Sequence, residues 1–129
     1  YHLQEGDIVL GRRGEIGRCG IVTARENGYL CGTGSMFIRP SNALNAIFLL
    51  YLISSGRMRT VLENKAIGIT MKNLNAGIVK RLEIILPEIS IQKKFADVVG
   101  LTENIKSHLK ESSLQMDNQF NSLTQRYFG

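Results

Sequence analysis

The sequence predicts the α/β class in its mixed α+β form, with a small strand-rich body followed by a long C-terminal helix of coiled-coil type. Two observations indicate this architecture. In the N-terminal half, short apolar runs alternate with glycine-containing turns, which is typical of short β-strands. From residue 90 to residue 128 there is no proline and a single glycine, and apolar residues recur at steps of three and four, which is typical of a helix.

The first two predicted strands form a hairpin. One strand covers residues 7–11 after a Gly-Asp turn signal, and the next covers residues 16–23. The polar segment Arg12-Arg13-Gly14-Glu15 interrupts the apolar pattern between them. Glycine recurs at every third position from Gly11 to Gly20, and we interpret these glycines as residues that bend the hairpin.

Two more short strands are predicted after a second turn. The pair Asn27-Gly28 is typical of a tight turn because both residue types tolerate a positive φ. We expect strands over residues 29–31 and 35–39, and Pro40 ends this strand-rich section.

The residue pattern in the middle of the chain predicts two helices. Residues 43–54 are apolar almost all round, so we expect a helix inside the domain, with Ser41 or Asn42 as its N-cap and Gly56 at its C-terminus. A second, short helix is expected over residues 57–64.

A loop, a strand and the long helix complete the prediction. The polar loop covers residues 66–77, and the strand covers residues 78–86 and ends at Pro87. We expect Ser90 to cap a helix that continues to about Phe128.

We divide the chain into a body, residues 1–89, and a helix, residues 90–129, that needs a partner for its apolar stripe. Such a helix is on the order of 55 Å long, which exceeds the width of a small domain. Polar residues at 112, 119 and 126 favour a pair of nearly straight packed helices over a strict leucine zipper. The expected packing residues are Phe95, Val98, Ile105, Leu109, Met116, Phe120, Leu123 and Tyr127.

Composition places the chain among globular domains with a moderate positive charge. It has 129 residues, 43% of them hydrophobic, which excludes a wholly disordered chain. The longest apolar run, residues 46–53, is far shorter than the ~20 residues of a membrane helix. The formal net charge of +5 is compatible with a polyanionic partner. Because no signal peptide pattern and no initiator Met are visible, we expect a fragment of a longer, cytoplasmic protein.

The residue types offer little support for an enzyme or a metal centre. Cys19 and Cys31 either pair or, as we expect, remain reduced as small core residues. His2 and His108 are isolated, and no metal-ligand spacing occurs, so we expect no metal site. Since no nucleophile motif, phosphate-binding glycine loop or dinucleotide fingerprint is found either, catalysis is the least favoured function.

Three segments of the sequence together resemble the specificity subunits of type I restriction–modification enzymes. Residues 6–17 look like the Gly-Asp-Ile strand and the Arg-Gly loop of a target-recognition domain. Residues 73–95 are similar to the end of that domain and the start of the helix behind it, with Glu88 and Ile91 in place of a proline and an acidic residue. The residues that fit the family phrase there are Leu86, Pro87, Gln92 and Lys93. Residues 120–129 resemble the phrase that ends the family's helix.

The resemblance covers nearly the whole chain and implies the later part of one target-recognition domain plus one conserved spacer helix. It implies that a complete subunit carries two such domains, each reading one half of a split double-stranded DNA site, with two antiparallel helices between them. It also implies that this chain has no catalytic residue and no cofactor. S-adenosylmethionine would belong to methyltransferase subunits, and ATP and magnesium would belong to restriction subunits.

With this resemblance, two loops hold the candidate DNA contacts. Arginines at the hairpin tip, Arg12 and Arg13, can hold phosphate or read guanine, and a solvated turn is the alternative. In the polar loop, Lys72 suits phosphate and Asn73 suits adenine, with ordinary turn chemistry as the alternative. Arg18 suits phosphate or acts as exposed solubilising charge. The full candidate set is Arg12, Arg13, Arg18, Thr70, Lys72 and Asn73.

Two functions therefore compete. The first is a sequence-specific DNA-binding module that docks methyltransferase and restriction subunits. The second is a structural module whose helix dimerises or docks a partner without any DNA binding. A homodimer through the long helix is expected, because the stripe exposes a large apolar area.

Overall fold

A computed structural model describes all residues of the chain, and its three short strands form one antiparallel sheet. The strands are β1 (Ile8–Gly11), β2 (Cys19–Ile21) and β3 (Ser35–Ile38). The central strand is β1, in which Ile8 pairs with Ile21 on one side and with Ile38 on the other. With the helices described below, the predicted mixed α+β fold is confirmed, and so is the strand predicted over residues 7–11.

The predicted hairpin of β1 and β2 is present, but its second strand is shorter than the predicted 16–23. Residues 16–18 belong to a turn, because Gly17 has a φ of +84° and the Arg18 N–H donates to the Glu15 carbonyl at 3.2 Å. Ile16 is buried within this turn and joins the core. The apolar side chain at position 16 therefore marks a buried loop residue rather than a strand.

The strand predicted over residues 35–39 is confirmed as β3, whereas the strand predicted over residues 29–31 is wrong. In that segment Leu30 makes only an isolated bridge to His2. The turn before it forms as expected, with a φ of +86° at Gly28.

Four helices follow the sheet, and the two predicted for the middle of the chain are confirmed. They are α1 (Ala46–Ser54), α2 (Gly56–Lys65), α3 (Ala76–Lys80) and α4 (Ile89–Phe128). The N-cap of α1 is Asn45 rather than Ser41 or Asn42, and its Oδ1 accepts a hydrogen bond from the Phe48 N–H at 3.1 Å. Ser55, in an extended conformation, ends α1 and caps α2, so no glycine C-cap forms.

The burial of α1 is one-sided rather than complete. Leu49 and Ile53 are buried, whereas Tyr51 is 39% exposed. The helix therefore lies on the core with one face and does not run through it.

The strand predicted over residues 78–86 is wrong. The Asn75 side chain accepts a hydrogen bond from the Ile78 N–H at 2.9 Å and starts α3. Helix formation buries Ile78, and residues 82–88 then have no regular structure. A side-chain cap thus outweighs the strand preference of the β-branched pair Ile78 and Val79.

The core lies among the sheet and the first three helices. Leu62 of α2 and Leu74, in the segment before α3, have no exposed surface. The buried cluster comprises Ile8, Leu10, Ile16, Leu49, Ile53, Leu62, Leu74 and Ile78.

An ion pair between a buried carboxylate, Asp7, and a half-exposed guanidinium, Arg39, connects the start of β1 to the end of β3. Asp7 is 1% exposed, and its carboxylate accepts hydrogen bonds from Nε and Nη2 of Arg39, at 2.9 and 2.7 Å, and from the Gln4 N–H at 2.8 Å. The Arg39 hydrogen bond lowers the pKa of Asp7 below its usual value, although burial acts in the opposite direction. Asp7 is therefore held as a carboxylate at neutral pH.

The chain divides into two compact units, Tyr1–Lys93 and Lys94–Gly129. The first turn of α4 belongs to the first unit. There Gln92 is fully buried, and its Oε1 accepts from the Asn45 N–H at 2.8 Å while its Nε2 donates to the carbonyls of Ala43 and Pro87. One glutamine thus links the cap of α1 to the start of α4.

The long helix is confirmed and continues without interruption over 40 residues. It begins at Ile89, one residue before the expected cap, because the N–H groups of Ile91 and Gln92 both donate to the Glu88 carbonyl. In the second unit no residue is buried, and the predicted packing residues are between 39% and 70% exposed. None of the helices is both long and apolar enough to cross a membrane.

Candidate nucleic-acid interface

The structure brings together the two loops that carry the candidate DNA contacts, and Arg12 joins them. The Arg12 carbonyl accepts from the Leu74 N–H at 2.9 Å, and its Nε donates to the Leu74 carbonyl at 3.0 Å. Its Nη1 also donates to the Thr33 carbonyl at 3.4 Å. Because two of its five N–H donors are used within the protein, Arg12 supports the loops in addition to any external contact.

The two other arginines of the first loop are exposed. Arg13 makes no hydrogen bond or ion pair within the chain, so all its donors face solvent. The Nη1 of Arg18 lies 3.6 Å from the Oε2 of Glu15, and the two side chains are 79% and 80% exposed. Such an exposed pair contributes little stability and leaves the guanidinium available.

The second loop, Ile67–Asn73, is closed at its base and fixed to α2. Ile67 and Asn73 exchange both backbone hydrogen bonds, at 3.1 and 2.9 Å. Gly68 has a φ of +131°, and a side chain there would clash with the Met71 carbonyl. The Nζ of Lys72 donates to the Glu63 carbonyl of α2 at 3.2 Å.

The candidate residues of this second loop differ in what they present to solvent. Thr70 and Lys72 are exposed. Asn73 is half-buried, and its Oδ1 is buried without a hydrogen-bond partner, so it offers no free acceptor to solvent. A hollow of about 320 Å³ lies between the two loops and α2. Its lining residues are Gly14, Ile16, Glu63, Thr70, Met71 and Lys72.

The net positive charge of the chain is confined to these loops and α2. Residues 12–18 and 57–73, which we call the basic region, contain seven basic and two acidic side chains, whereas the rest of the chain contains nine of each. The two segments are in contact, because a Cβ on Gly17 would lie 3.4 Å from Cγ of Arg59. The basic residues are Arg12, Arg13, Arg18, Arg57, Arg59, Lys65 and Lys72. All except Arg12 are exposed.

The two cysteines are not joined by a disulfide bond. Cys19 and Cys31 are free thiols, both half-buried. Burial raises the pKa of the Cys19 thiol, and the nearby Arg59 partly opposes this effect. The Cys19 thiol is therefore protonated at neutral pH, and the side chain packs against the core.

Sequence reasoning missed the apolar residues of the second loop. Ile69 is completely exposed, at 104%, and Met71 is 67% exposed. The available signal was the alternation Ile67, Ile69, Met71 within a polar loop, a pattern that otherwise predicts a half-buried strand.

A comparison with family models decides what kind of domain carries these loops. The model of the type I restriction modification DNA specificity domain matches residues 1–114. The chain belongs to this family. The matched range includes both loops, all of α2 and the first part of α4. As a type I DNA specificity domain, the chain is part of the recognition machinery of such systems, and the family is not their catalytic part.

Proposed function

We propose that this chain reads one half of a bipartite double-stranded DNA site for a type I restriction–modification enzyme. The observation that supports the proposal most strongly is the contact between two loops of the basic region that are far apart in the sequence. Arg12 bonds to Leu74 across 62 positions of sequence, and the loops on either side of that bond carry the candidate contacts. A paired-loop surface with excess positive charge suits the grooves and phosphates of duplex DNA.

In this proposal the side chains divide into positioning and reading groups. Arg13, Arg18 and Lys72 are the candidates for phosphate or guanine contacts, since their cationic groups are exposed. Thr70 is the candidate for base edges. Asn73 would contribute only through the N–H groups of its amide, because its Oδ1 is buried. Arg12 adds a contact while holding the loops.

We further propose that residues 90–129 act as the spacer of the assembly and residues 1–89 as its recognition domain. The stripe would pack on a second, antiparallel helix, which a second copy of the chain can supply in an isologous homodimer. Methyltransferase and restriction subunits would dock around this pair in the cytoplasm. In this proposal S-adenosylmethionine, ATP and magnesium belong to those subunits, and defence against foreign DNA is the outcome.

A salt titration tests the proposal. The complete chain is mixed with a random-sequence DNA duplex at low salt, and binding is followed as salt rises. Phosphate contacts predict a steep linear fall of log K with log salt, by about 0.9 per neutralised phosphate. Arg12→Ala combined with Arg13→Ala should weaken DNA binding of the assembled enzyme by at most a few kcal/mol, since one base contact is worth ~1–3 kcal/mol.

The exposed stripe of α4 favours the alternative, a helix-mediated docking module without DNA binding. That alternative predicts no binding to duplex DNA even at low salt, both for the complete chain and for the chain assembled with its partner subunits. Unchanged affinity and unchanged site choice in the double arginine variant would leave Arg13 as a solvated turn residue and Arg12 as a residue that only connects the loops.

A further inference from the structure

We propose that Ile69 and Met71 are specificity-determining residues that contact the 5-methyl groups of thymine in DNA. The proposal rests on the proposed DNA-reading function and adds the chemistry of one contact to it. Three observations support it: the fixed shape of the Ile67–Asn73 loop, the exposure of its apolar side chains, and the cations around them.

The loop is closed at its base and attached to α2. The paired backbone hydrogen bonds of Ile67 and Asn73 close its base, and the Lys72 ammonium attaches it to the Glu63 carbonyl. The tight turn at Gly68 excludes any larger residue. A preorganised loop loses little conformational entropy when it binds, so it suits recognition.

The exposure of these side chains is not explained by packing within the chain. Ile69 is 104% exposed and Met71 is 67% exposed, although the core lies just beyond the loop at Leu74, which is 0% exposed. Single exposed apolar residues are common on surfaces, but two on one fixed loop form a small apolar tip. We call Ile69 and Met71 the apolar tip.

The surroundings of the apolar tip favour DNA over an apolar protein partner. Lys72 follows it directly, and the hollow beside it is shared with the loop that carries Arg13 and Arg18. The chain's entire net charge is concentrated in this basic region. A protein interface core is typically depleted in such charges, whereas a DNA interface is enriched in them.

The chemistry of base edges then selects the thymine methyl. In the major groove, purines and cytosine present hydrogen-bonding groups, and the 5-methyl of thymine is the apolar group among them. Ile69 and Met71 have no donor or acceptor suited to the other bases, so an apolar contact with thymine is the one that they can make. Uracil keeps the hydrogen bonds of thymine and lacks the methyl group, which makes it a direct probe.

The experiment compares thymine and uracil in otherwise identical DNA. Duplexes that bind the complete chain are first selected from a random-sequence library. The selected pool is then copied with either thymidine or deoxyuridine triphosphate, and the affinity of each copy is measured. We expect wild type to bind the thymine copy more tightly, by about fourfold for each buried methyl group.

Two variants give the test its controls. Ile69→Ser combined with Met71→Ser should lose the thymine preference and bind both copies equally. Ile85→Ser removes another apolar side chain, 93% exposed and outside the basic region, and should keep the preference. Circular dichroism melting of all three proteins checks that their folds are equally stable.

Each outcome decides a separate point. If wild type selects no sequence and binds no DNA at low salt, the proposed function fails. If wild type selects DNA but binds both copies equally, the function stands and the thymine contact is overturned. A double-serine variant that keeps the preference, or that loses affinity equally for both copies relative to wild type, also overturns it.

Discussion

The two units of this chain use the same kinds of apolar residue in opposite ways. Within Tyr1–Lys93, residues such as Leu62 and Leu74 are completely buried, whereas within Lys94–Gly129 no side chain is buried at all. The first unit is stabilised by its own core. The second is a helix whose apolar stripe adds no stability until a partner packs on it, since helical stability in proteins comes mostly from packing. Stability of the first unit and association through the second should therefore respond to different substitutions.

The largest expected effect tests this contrast with the same substitution in both units. Leu62→Ala should lower the free energy of unfolding of the first unit by about 2–5 kcal/mol, because it leaves a cavity in the core. Leu109→Ala, at a position 65% exposed, should lower it by less than about 0.5 kcal/mol. Urea denaturation at low protein concentration measures both values. Equal losses in the two variants would contradict the division.

The ion pair of Asp7 and Arg39 gives the first unit a dependence on pH. The pKa of Asp7 is lowered by folding, mainly by the Arg39 hydrogen bond, so the unfolded chain binds the proton more readily. The pair's contribution is thus complete above the unfolded pKa of about 3.9, and it is lost as pH falls from there through the lower pKa of the folded state. We expect Asp7→Asn to cost about 1.5–3 kcal/mol at pH 7, as for a hydrogen bond to a charged group.

The measurement is urea denaturation from pH 7 down to pH 3. The difference between wild type and Asp7→Asn should shrink below about pH 4. Glu26→Gln is the comparison variant. The hydrogen bonds from Thr23 also lower the pKa of Glu26, so its difference from wild type should shrink in the same direction, but from a smaller value because this carboxylate is less buried. A difference for Asp7→Asn that stays constant with pH would refute the assignment.

The same contrast explains how far the sequence could predict the structure. The long helix was predictable to within one residue at its start, because a stripe at helical spacing needs no tertiary information. In the first unit, Ile16 and Ile78 carry strand-like signals, yet Ile16 lies in a turn and Ile78 in a capped helix. Their environment is decided by partners distant in sequence, which an apolar pattern does not reveal.

The candidate site, too, was predictable from the sequence only in part. The two loops were identified from their residue types together with the family resemblance, but the contact between them was not predictable. It depends on hydrogen bonds between Arg12 and Leu74, and a backbone carbonyl carries no sequence signal. The exposure of Ile69 and Met71 was not predictable, because an apolar residue in a sequence is normally assigned to the core.

Association through the second unit is the next, smaller effect. Leu109→Asp or Met116→Asp should raise the dissociation constant of the proposed homodimer by about tenfold or more, since each places a charge in an apolar contact. Leu114→Asp is the matched control: at ~100° per residue it lies on the opposite side of α4 from this stripe. Sedimentation equilibrium over a range of concentrations measures the dissociation constant. A monomer at high concentration with the helix still folded would remove the homodimer.

The smallest effect separates two adjacent arginines within the first unit. Arg13 faces solvent, so Arg13→Ala should leave the melting temperature unchanged and should reduce the salt dependence of DNA binding by about one phosphate contact. Arg12→Ala removes hydrogen bonds to the carbonyls of Leu74 and Thr33, so it should lower the melting temperature as well as the affinity.

The variant Arg12→Lys separates two roles of Arg12, its hydrogen bonding between the loops and its positive charge. Lysine keeps the positive charge of Arg12 but lacks the planar fork that reaches both carbonyls. If Arg12 acts mainly by holding the loops, the lysine variant should resemble Arg12→Ala in its melting temperature and in the DNA sequences that it selects. If Arg12 acts mainly as a phosphate contact, the lysine variant should keep wild-type salt dependence and site choice. The geometry favours the first result, because the guanidinium that a phosphate would use already bonds to two segments of this chain.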